Sequence, residues 1–413
     1  MIQPGLARIR QLLEHSTLPW RAVHVAGTNG KGSVCAYVSA MLHAANIKTG
    51  RFTSPHLIDR WDSITIEEKP IDESKFRRAE DVVKLRNSNG DIRASEFELL
   101  TATAFELFNE EKVQVGVIEV GVGGRHDATN IVQHPLVTVI TKIGRDHQPL
   151  LGTTIEEIAN HKAGIMKHGA ACVVDATNSD SVLQVLADTA QEVGAEPFHR
   201  SPSDSGQEST DFHKYLGKSD LEPHQRTNLA LAYRAALIAA QQMAPAASSQ
   251  ALLEGARRSV WPGRLQTLDI RALTGRREPV TLDGAHNPQS AEVLGFYVNE
   301  RVRFKTRRIT WIIAASLGKD LRELLLRLVQ SHDNIVAVEF GPVDGMPWVV
   351  PVNAENILEV ARSLGVEGLL EKTGKDVLRS LQLAARTANG DPIVICGSLY
   401  LVSDVLRLLR DVG

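Results

Sequence analysis

A chain of 413 residues has room for about two to three ordinary domains whose cores need no disulfide or metal staple. Its 43% hydrophobic and 23% charged content excludes collagen-like, disordered and membrane classes. A formal net charge of -3, from 46 basic and 49 acidic side chains, gives no electrostatic reason to expect nucleic acid as a partner, while leaving room for a small anion bound locally.

At the N-terminus, Leu6, Ile9, Leu12 and Leu13 stand at helical spacing without the apolar core and cleavage site of a secretory signal, so an amphipathic helix is expected. Cys35, Cys172 and Cys396 lie far apart and suit a reducing compartment. Cytoplasm is therefore the expected location; a mitochondrial pool is the alternative, because Arg8 and Arg10 precede the first acidic residue. A short apolar run at Val23–Ala26 leads into a glycine-rich turn and a long helical stretch. Further runs follow at Val115–Val120, Val137–Thr141 and Ala171–Val174, the alternation expected of a parallel sheet wrapped by helices. The polar stretch Ser201–Asp220 reads as a surface loop. The alanine-rich stretch Leu229–Ala247, interrupted by Arg234, Gln241, Gln242 and Pro245, reads as a soluble helix rather than a membrane span.

After Trp261-Pro262-Gly263-Arg264, a second series of strands is expected at Val280–Leu282, Thr310–Ala314, Ile335–Phe340 and Pro392–Cys396, with a helix at Leu321–Val329. The fold class is therefore α/β, with domains expected at 1–265 and 266–413, and no internal repeat is evident.

Chemistry concentrates in a few segments. Ala26-Gly27-Thr28-Asn29-Gly30-Lys31-Gly32-Ser33 lies between a strand and a helix. Its glycines let backbone N–H groups approach phosphate oxygens, the helix start favours anions, and Lys31 can neutralise phosphate charge with Ser33 near Mg²⁺. The segment departs from the general phosphate-loop pattern, since Val25 holds the first glycine position and Gly32 separates the lysine from the serine. Glu119 sits inside an apolar strand ahead of a glycine-rich turn, where a carboxylate calls for a metal ion or a basic partner. His147, in Gly144-Arg145-Asp146-His147, follows a strand end, where open α/β sheets bind ligands. Thr154 and Glu157 form a helix-start pattern ahead of Lys162. Arg264 and the Asp283-Gly284-Ala285-His286-Asn287-Pro288 turn add further polar clusters, with an arginine bridge and an Asx turn as their plain reading.

Together these segments resemble the folylpolyglutamate synthase and dihydrofolate synthase family, within the Mur-type ATP-dependent ligases. The resemblance runs from AGTNGKGS through FTSPHL (Phe52–Leu57), EVGVGGRHDATN (Glu119–Asn130), LGTTIEEIANHKAGI (Leu151–Ile165), WPGR and LDGAHNP to CGSLYL (Cys396–Leu401). The segment GPVDGMPW (Gly341–Trp348) and the terminal CGSLYL look most like the fungal dihydrofolate synthases. The resemblance implies a phosphate-loop ATPase domain followed by a smaller Rossmann-like domain, acting as a monomer on dihydropteroate, L-glutamate, ATP and Mg²⁺. Its implied reaction is phosphorylation of the dihydropteroate carboxylate and displacement of phosphate by glutamate, giving dihydrofolate and ADP.

Carried over by position, Thr28, Asn29, Gly30, Lys31, Gly32, Ser33, Asn228, Arg264 and Asp283 match nucleotide contacts, which puts the expected ATP site in the cleft between the domains. Ser54, Glu119 and His147 match metal ligands. Lys162 matches the lysine that this family carbamylates to N6-carboxylysine. Ser95, Phe97, Glu98, His126, Asp127 and Ala128 match substrate contacts, with Phe97 stacking on the pterin and Asp127 bonding its edge. The expected catalytic set is Lys31, His147, Lys162, Asp283 and His286. His126 stands where the family often has leucine, and Arg145 where it often has a small or apolar residue. A folylpolyglutamate synthase or a bifunctional enzyme is the nearest alternative. A cell-wall Mur ligase and a catalytically inactive ATP-binding module are the more distant ones.

Overall fold

Strand β1 (Arg21–Ala26) is buried along almost its whole length. Side chains alternate between the two faces of a strand, so Val23 and Val25 join a core with the helices Lys31–Ala44, Pro223–Met243 and Ser249–Arg258, while Ala22 and Ala26 serve cores on the opposite face. Burial on both faces is what a parallel sheet between helices requires.

The computed structural model describes residues 5–202, 210–303 and 308–412. Within them β1 is joined by β2 (Thr49–Phe52), β3 (Ile64–Ile66), β4 (Lys69–Pro70), β5 (Val115–Glu119), β6 (Pro135–Ile140), β7 (Ala171–Asp175) and β8 (Phe198–Ser201). The sheet order is β4-β3-β2-β5-β1-β6-β7-β8, parallel except where β3 pairs with β2 and β4. Val25 pairs with Glu119 and Ala26 with Ile140. The carboxyl ends of β5, β1 and β6 therefore lie side by side, and the loops that follow them share one edge.

The chain divides into two compact units: the chain up to His56 with Trp61–Val260, and Leu57–Arg60 with the chain from Trp261 onward. The second unit contains β9 (Gln266–Leu268), β10 (Val280–Leu282), β11 (Thr310–Ile313), β12 (Asn334–Ala337), β13 (Leu370–Lys372) and β14 (Ile393–Cys396). Their order is β13-β12-β11-β14-β10-β9, with only the β9–β10 pair antiparallel. Helices Pro288–Tyr297, Leu321–Leu326 and Ala354–Ser363 contribute to the core on one face, and Val377–Ala388 with Leu399–Val412 to the core on the other. The α/β reading holds for both units.

A buried carboxylate pins the second unit. Asp333 accepts two 2.7 Å bonds from Arg303, one from Trp311 Nε1 at 2.9 Å, and backbone N–H bonds from Ile309 and Gln330. Burial pushes this carboxyl toward the neutral form, but the Arg303 and Trp311 bonds outweigh it and hold its pKa below the ordinary value. Because the folded-state pKa is depressed, the stabilisation is full above the ordinary carboxylate range and is lost as pH falls through the folded value. Asp333→Asn should cost about 3–5 kcal/mol by leaving Arg303 without its charge partner. Denaturant unfolding measures the loss, and acid unfolding of the variant should lack the Asp333 contribution.

One expectation is corrected. The polar stretch Ser201–Asp220 is not simply a surface loop: Ser201 ends β8, and Thr210–Lys218 is a helix. Phe212 is buried and stacks on Tyr233 with ring centroids 4.5 Å apart, and Tyr215 and Leu216 pack on the same core. Those three apolar anchors seat the helix despite its polar composition. Residues 203–209, also part of that expectation, lie outside the described residues. The alanine-rich stretch forms the helix Pro223–Met243, and among the described residues no helix is long and apolar enough to cross a membrane.

Candidate active site

The glycine-rich loop runs from the end of β1 into the helix Lys31–Ala44. Gly27 has φ 151° and Gly30 φ 91°, a region that side-chain-bearing residues rarely adopt. Close packing adds a second constraint, since a Cβ on Gly27 would overlap Thr141 Oγ1 and one on Gly30 would overlap Asn228 Oδ1. Asn228, buried in the helix Pro223–Met243, is thereby set against the loop.

The loop after β6 holds the phosphate loop through main-chain groups. The N–H groups of Thr28 and Asn29 donate to Lys142 O at 2.9 and 3.1 Å, and Thr141 Oγ1 donates to Asn29 O at 2.8 Å. Thr28 Oγ1 donates to Gly144 O and accepts from Gly144 N, both at 3.0 Å. Sequence reasoning gave Thr141 and Lys142 no site role, and named Gly144 only as part of the segment that carries His147. Their signal was positional: they follow the apolar run of β6 at the edge where ligands bind. Gly27→Ala should unseat Thr141 and disorder this arrangement, raising the dissociation constant for ADP at least about tenfold; calorimetric titration of the folded variant checks it.

Charged groups converge on the same loop. Lys31 Nζ donates to Thr28 O at 3.3 Å and lies 3.7 Å from Glu119 Oε1. Glu119, at the end of β5 and 5% exposed, accepts from Ser54 N at 3.2 Å. Lys162, 4% exposed, donates to Gly27 O at 2.6 Å. Burial, reinforced by the Lys31 charge, pushes the Lys162 amine down to about 7, against the opposing charges of Asp146 and Asp127. The helix Ile155–Ala163 that carries Lys162 begins with the expected reciprocal cap between Thr154 and Glu157.

His147 is half-exposed, with left-handed φ 52°, ahead of the short helix Gln148–Leu151. Its Nε2 lies 4.0 Å from Asp146 Oδ2. Ser54 meets Glu119 through its main-chain N–H, and among the described residues no three His, Cys, Asp or Glu side chains are grouped to hold a metal ion. A carboxylate, joined by a serine hydroxyl, is the hard oxygen donor type that Mg²⁺ takes.

On the neighbouring loop, Asp127 is buried and accepts from Val122 N at 2.9 Å, Thr129 N at 3.0 Å and Thr129 Oγ1 at 2.5 Å. Burial raises its pKa against those bonds. Ala128 is buried beside it, while His126 is exposed with its ring 6.3 Å from that of His161. Phe97, half-buried, stacks on Phe52 with ring centroids 6.1 Å apart. Ser95 and Glu98 cap each other at the start of the helix Glu96–Glu110, and Glu98 also receives Arg8 at 2.9 Å. Their polar groups hold the helix that presents Phe97.

The second unit holds a separate cluster. Asp283 follows β10 and accepts from Leu265 N and Ala285 N, each at 2.8 Å. Burial raises its pKa and the Arg264 charge opposes the rise. Arg264 Nη1 donates to Gly263 O at 2.9 Å. His286 Nδ1 lies 2.8 Å from Gly284 O, and Asn287 caps the helix Pro288–Tyr297, as an Asx turn ahead of proline requires.

Residues 25–233 match the Mur ligase middle domain, and residues 266–408 match the C-terminal domain of dihydrofolate synthetase. A probable dihydrofolate synthetase of Schizosaccharomyces pombe is 37% identical over 424 residues, covering 99% of each chain. The dihydrofolate synthetase of Saccharomyces cerevisiae is 36% identical over 430 residues, covering 98% of each. Among solved structures, a bifunctional folylpolyglutamate synthase/dihydrofolate synthase with Mn, AMPPNP and L-glutamate bound superposes with a TM-score of 0.80 at 27% identity, covering 99% of this chain and 95% of that one. With phosphate loop, fold and both family models in agreement, the chain belongs to the dihydrofolate synthetase and folylpolyglutamate synthase family of Mur-type, ATP-dependent ligases.

Proposed function

We propose that the protein joins L-glutamate to dihydropteroate, forming dihydrofolate, ADP and phosphate. A carboxylate is a poor electrophile, so one of its oxygens first bonds to the γ-phosphorus of ATP as the bond to ADP breaks. The neutral amine of glutamate then bonds to the acyl carbon, the bond from that carbon to the phosphate oxygen breaks with its electron pair leaving on phosphate, and the nitrogen gives up one proton to solvent as the amide forms. Lys31 and the N–H groups at the start of its helix answer the phosphate charge. Asn228 contacts the nucleotide beside Gly30. Ser54 and Glu119 would hold Mg²⁺, with His147 as the third ligand, and the ion when bound neutralises charge on the transferring phosphoryl group. Phe97 stacks on the pterin and Asp127 reads its edge, with His126 and Ala128 flanking. In the second unit, Arg264 and Asp283 are the nucleotide contacts and His286 stands beside them. A cytoplasmic location, which the three buried free cysteines suit, and a monomeric state, taken from the family resemblance, complete the reading.

One observation carries dihydropteroate over a glutamylated folate: the model matched by residues 266–408 is that of dihydrofolate synthetase. The test is incubation with ATP, Mg²⁺ and L-glutamate plus either dihydropteroate or a reduced monoglutamyl folate, with products identified by mass spectrometry. Glutamate added to dihydropteroate alone is the expected result. Addition to folate alone overturns the substrate assignment, and addition to both makes the enzyme bifunctional. ADP binding with neither product leaves an inactive nucleotide-binding module.

A further inference from the structure

The tetrapeptide Asp-Ala-Thr-Asn occurs twice, at 127–130 and 175–178, and the two copies fold alike. In each, the aspartate Oδ1 accepts from the N–H and hydroxyl of the threonine two residues on: 3.0 and 2.5 Å in the first copy, 2.8 and 2.7 Å in the second. In each, the asparagine is buried, accepts one donor at Oδ1 and donates from Nδ2 to two carbonyls. Asn130 receives Lys167 Nζ and donates to Arg125 O and Gly164 O, clasping the loop after β5 to the end of the Lys162 helix. His24, buried on β1, supports this turn from below through a 2.9 Å bond to Thr129 Oγ1.

The second copy lies at the carboxyl end of β7, one strand further from the phosphate loop. Asn178 Oδ1 accepts from Ile143 N at 2.9 Å, and its Nδ2 donates to Asp175 O at 3.0 Å and Thr141 O at 3.5 Å. Lys142 Nζ donates to Thr177 O and, at 3.2 Å, to Thr177 Oγ1. Residues 141–143 are therefore gripped from one side by this turn, and from the other they hold Thr28 and Asn29 through Thr141 Oγ1 and Lys142 O. An amide side chain is the group that can serve both directions of this bracket, because it offers an acceptor and two donors at once. Alanine at 178 would leave the Ile143 N–H and Thr141 O without their side-chain partner in a buried setting.

We propose that Asn178 is a positioning residue for the nucleotide site: it acts through the Thr141–Ile143 segment to hold the phosphate loop in its binding shape. This deepens the ATP-dependent reading and does not depend on which acceptor is used. The matched turn at 127–130 serves the Lys162 and Asp127 side, so the two copies brace two different parts of one edge.

The test uses the full chain with ADP as probe. Asn178→Ala should raise the ADP dissociation constant and the KM for ATP about tenfold while the acceptor KM moves by less than about twofold. Asn178→Ser keeps a hydroxyl as the only polar group at the position and adds no charge beside the Asp175 and Thr141 carbonyls, so it should show a smaller rise of about threefold. If the alanine variant does not fold, the serine variant is judged by the same split. A role confined to folding lowers the melting temperature and leaves nucleotide affinity unmoved. Unchanged ADP affinity in the folded variant, or equal rises in both KM values, overturns the proposal. Should the wild type bind ADP yet ligate glutamate to neither acceptor, the substrate assignment falls while the ADP comparison still decides the role of Asn178.

Discussion

Lys162→Ala is expected to lower turnover by about a thousandfold or more, with partial recovery when acetate or formate is added. The amine is almost fully buried against Gly27 O, beside the positive charge of Lys31. A second cation there is costly, and burial brings its pKa down to about 7. An amine near that value is substantially neutral at physiological pH, and only a neutral amine can bond to carbon dioxide, releasing a proton as the carbamate forms. The carbamate would carry negative charge beside Lys31, where the unmodified amine is repelled by that lysine. A small carboxylate in the cavity of the alanine variant reproduces that charge, whereas a primary amine does not. Stability supplies an independent check. Because the folded-state pKa lies below the ordinary lysine value, the unfolded chain binds more protons between about pH 7 and 10.5. The cost of burying Lys162 is therefore full below pH 7 and is relieved as pH rises through that window. In carbon-dioxide-free buffer, Lys162→Met should remove this rise from the stability-pH profile. Full activity of Lys162→Ala without added carboxylate, or an intact-protein mass with no added carbon dioxide under bicarbonate, would remove the modified lysine from the mechanism.

The parts legible in sequence are those whose physics needs particular residue types over several positions. Strands β1, β5 and β6 read clearly because burial on both faces demands unbroken apolar runs. The phosphate loop read clearly because its positive φ angles demand glycine. Strands β3 and β4, of three and two residues, are too short to carry a period; β3 pairs on β2 and β4 on β3 at the sheet edge. The role of Thr141 and Lys142 escaped notice because much of their work is done by N–H and C=O groups, which every residue supplies. Ser95 and Glu98 show the converse. Their types suit both a substrate contact and a helix cap, and only the coordinates reveal the mutual bonds that make them a cap. Phe212 marks a third limit, since three apolar anchors suffice to seat a helix whose composition otherwise reads as solvent-exposed.

Glu119→Gln should abolish most Mg²⁺-dependent turnover, by about a thousandfold, while sparing metal-free ADP binding. The substitution keeps the shape and the acceptor for Ser54 N, removing only the charge. That charge has two partners in prospect: Lys31, 3.7 Å away, and the metal that Ser54 and Glu119 would share. The two roles make different forecasts. If Glu119 serves chiefly as a counter-ion to Lys31, its loss leaves a partly buried ammonium unpaired, and ADP binding in EDTA should strengthen because the nucleotide then supplies the missing negative charge. If Glu119 is a metal ligand, the Gln variant should need far more Mg²⁺ for half-maximal activity, with ADP affinity in EDTA within about twofold of wild type. Lys31→Met should then show the opposite pattern, weak nucleotide binding and an unchanged Mg²⁺ requirement. The geometry favours the second outcome. At 3.7 Å the ammonium and carboxylate are in ion-pair range but beyond hydrogen-bond distance, whereas the Ser54 main-chain N–H at 3.2 Å holds the carboxylate in place at the end of its strand. Wild-type metal dependence in Glu119→Gln would take the residue out of the metal set and leave it as the partner of Lys31 alone.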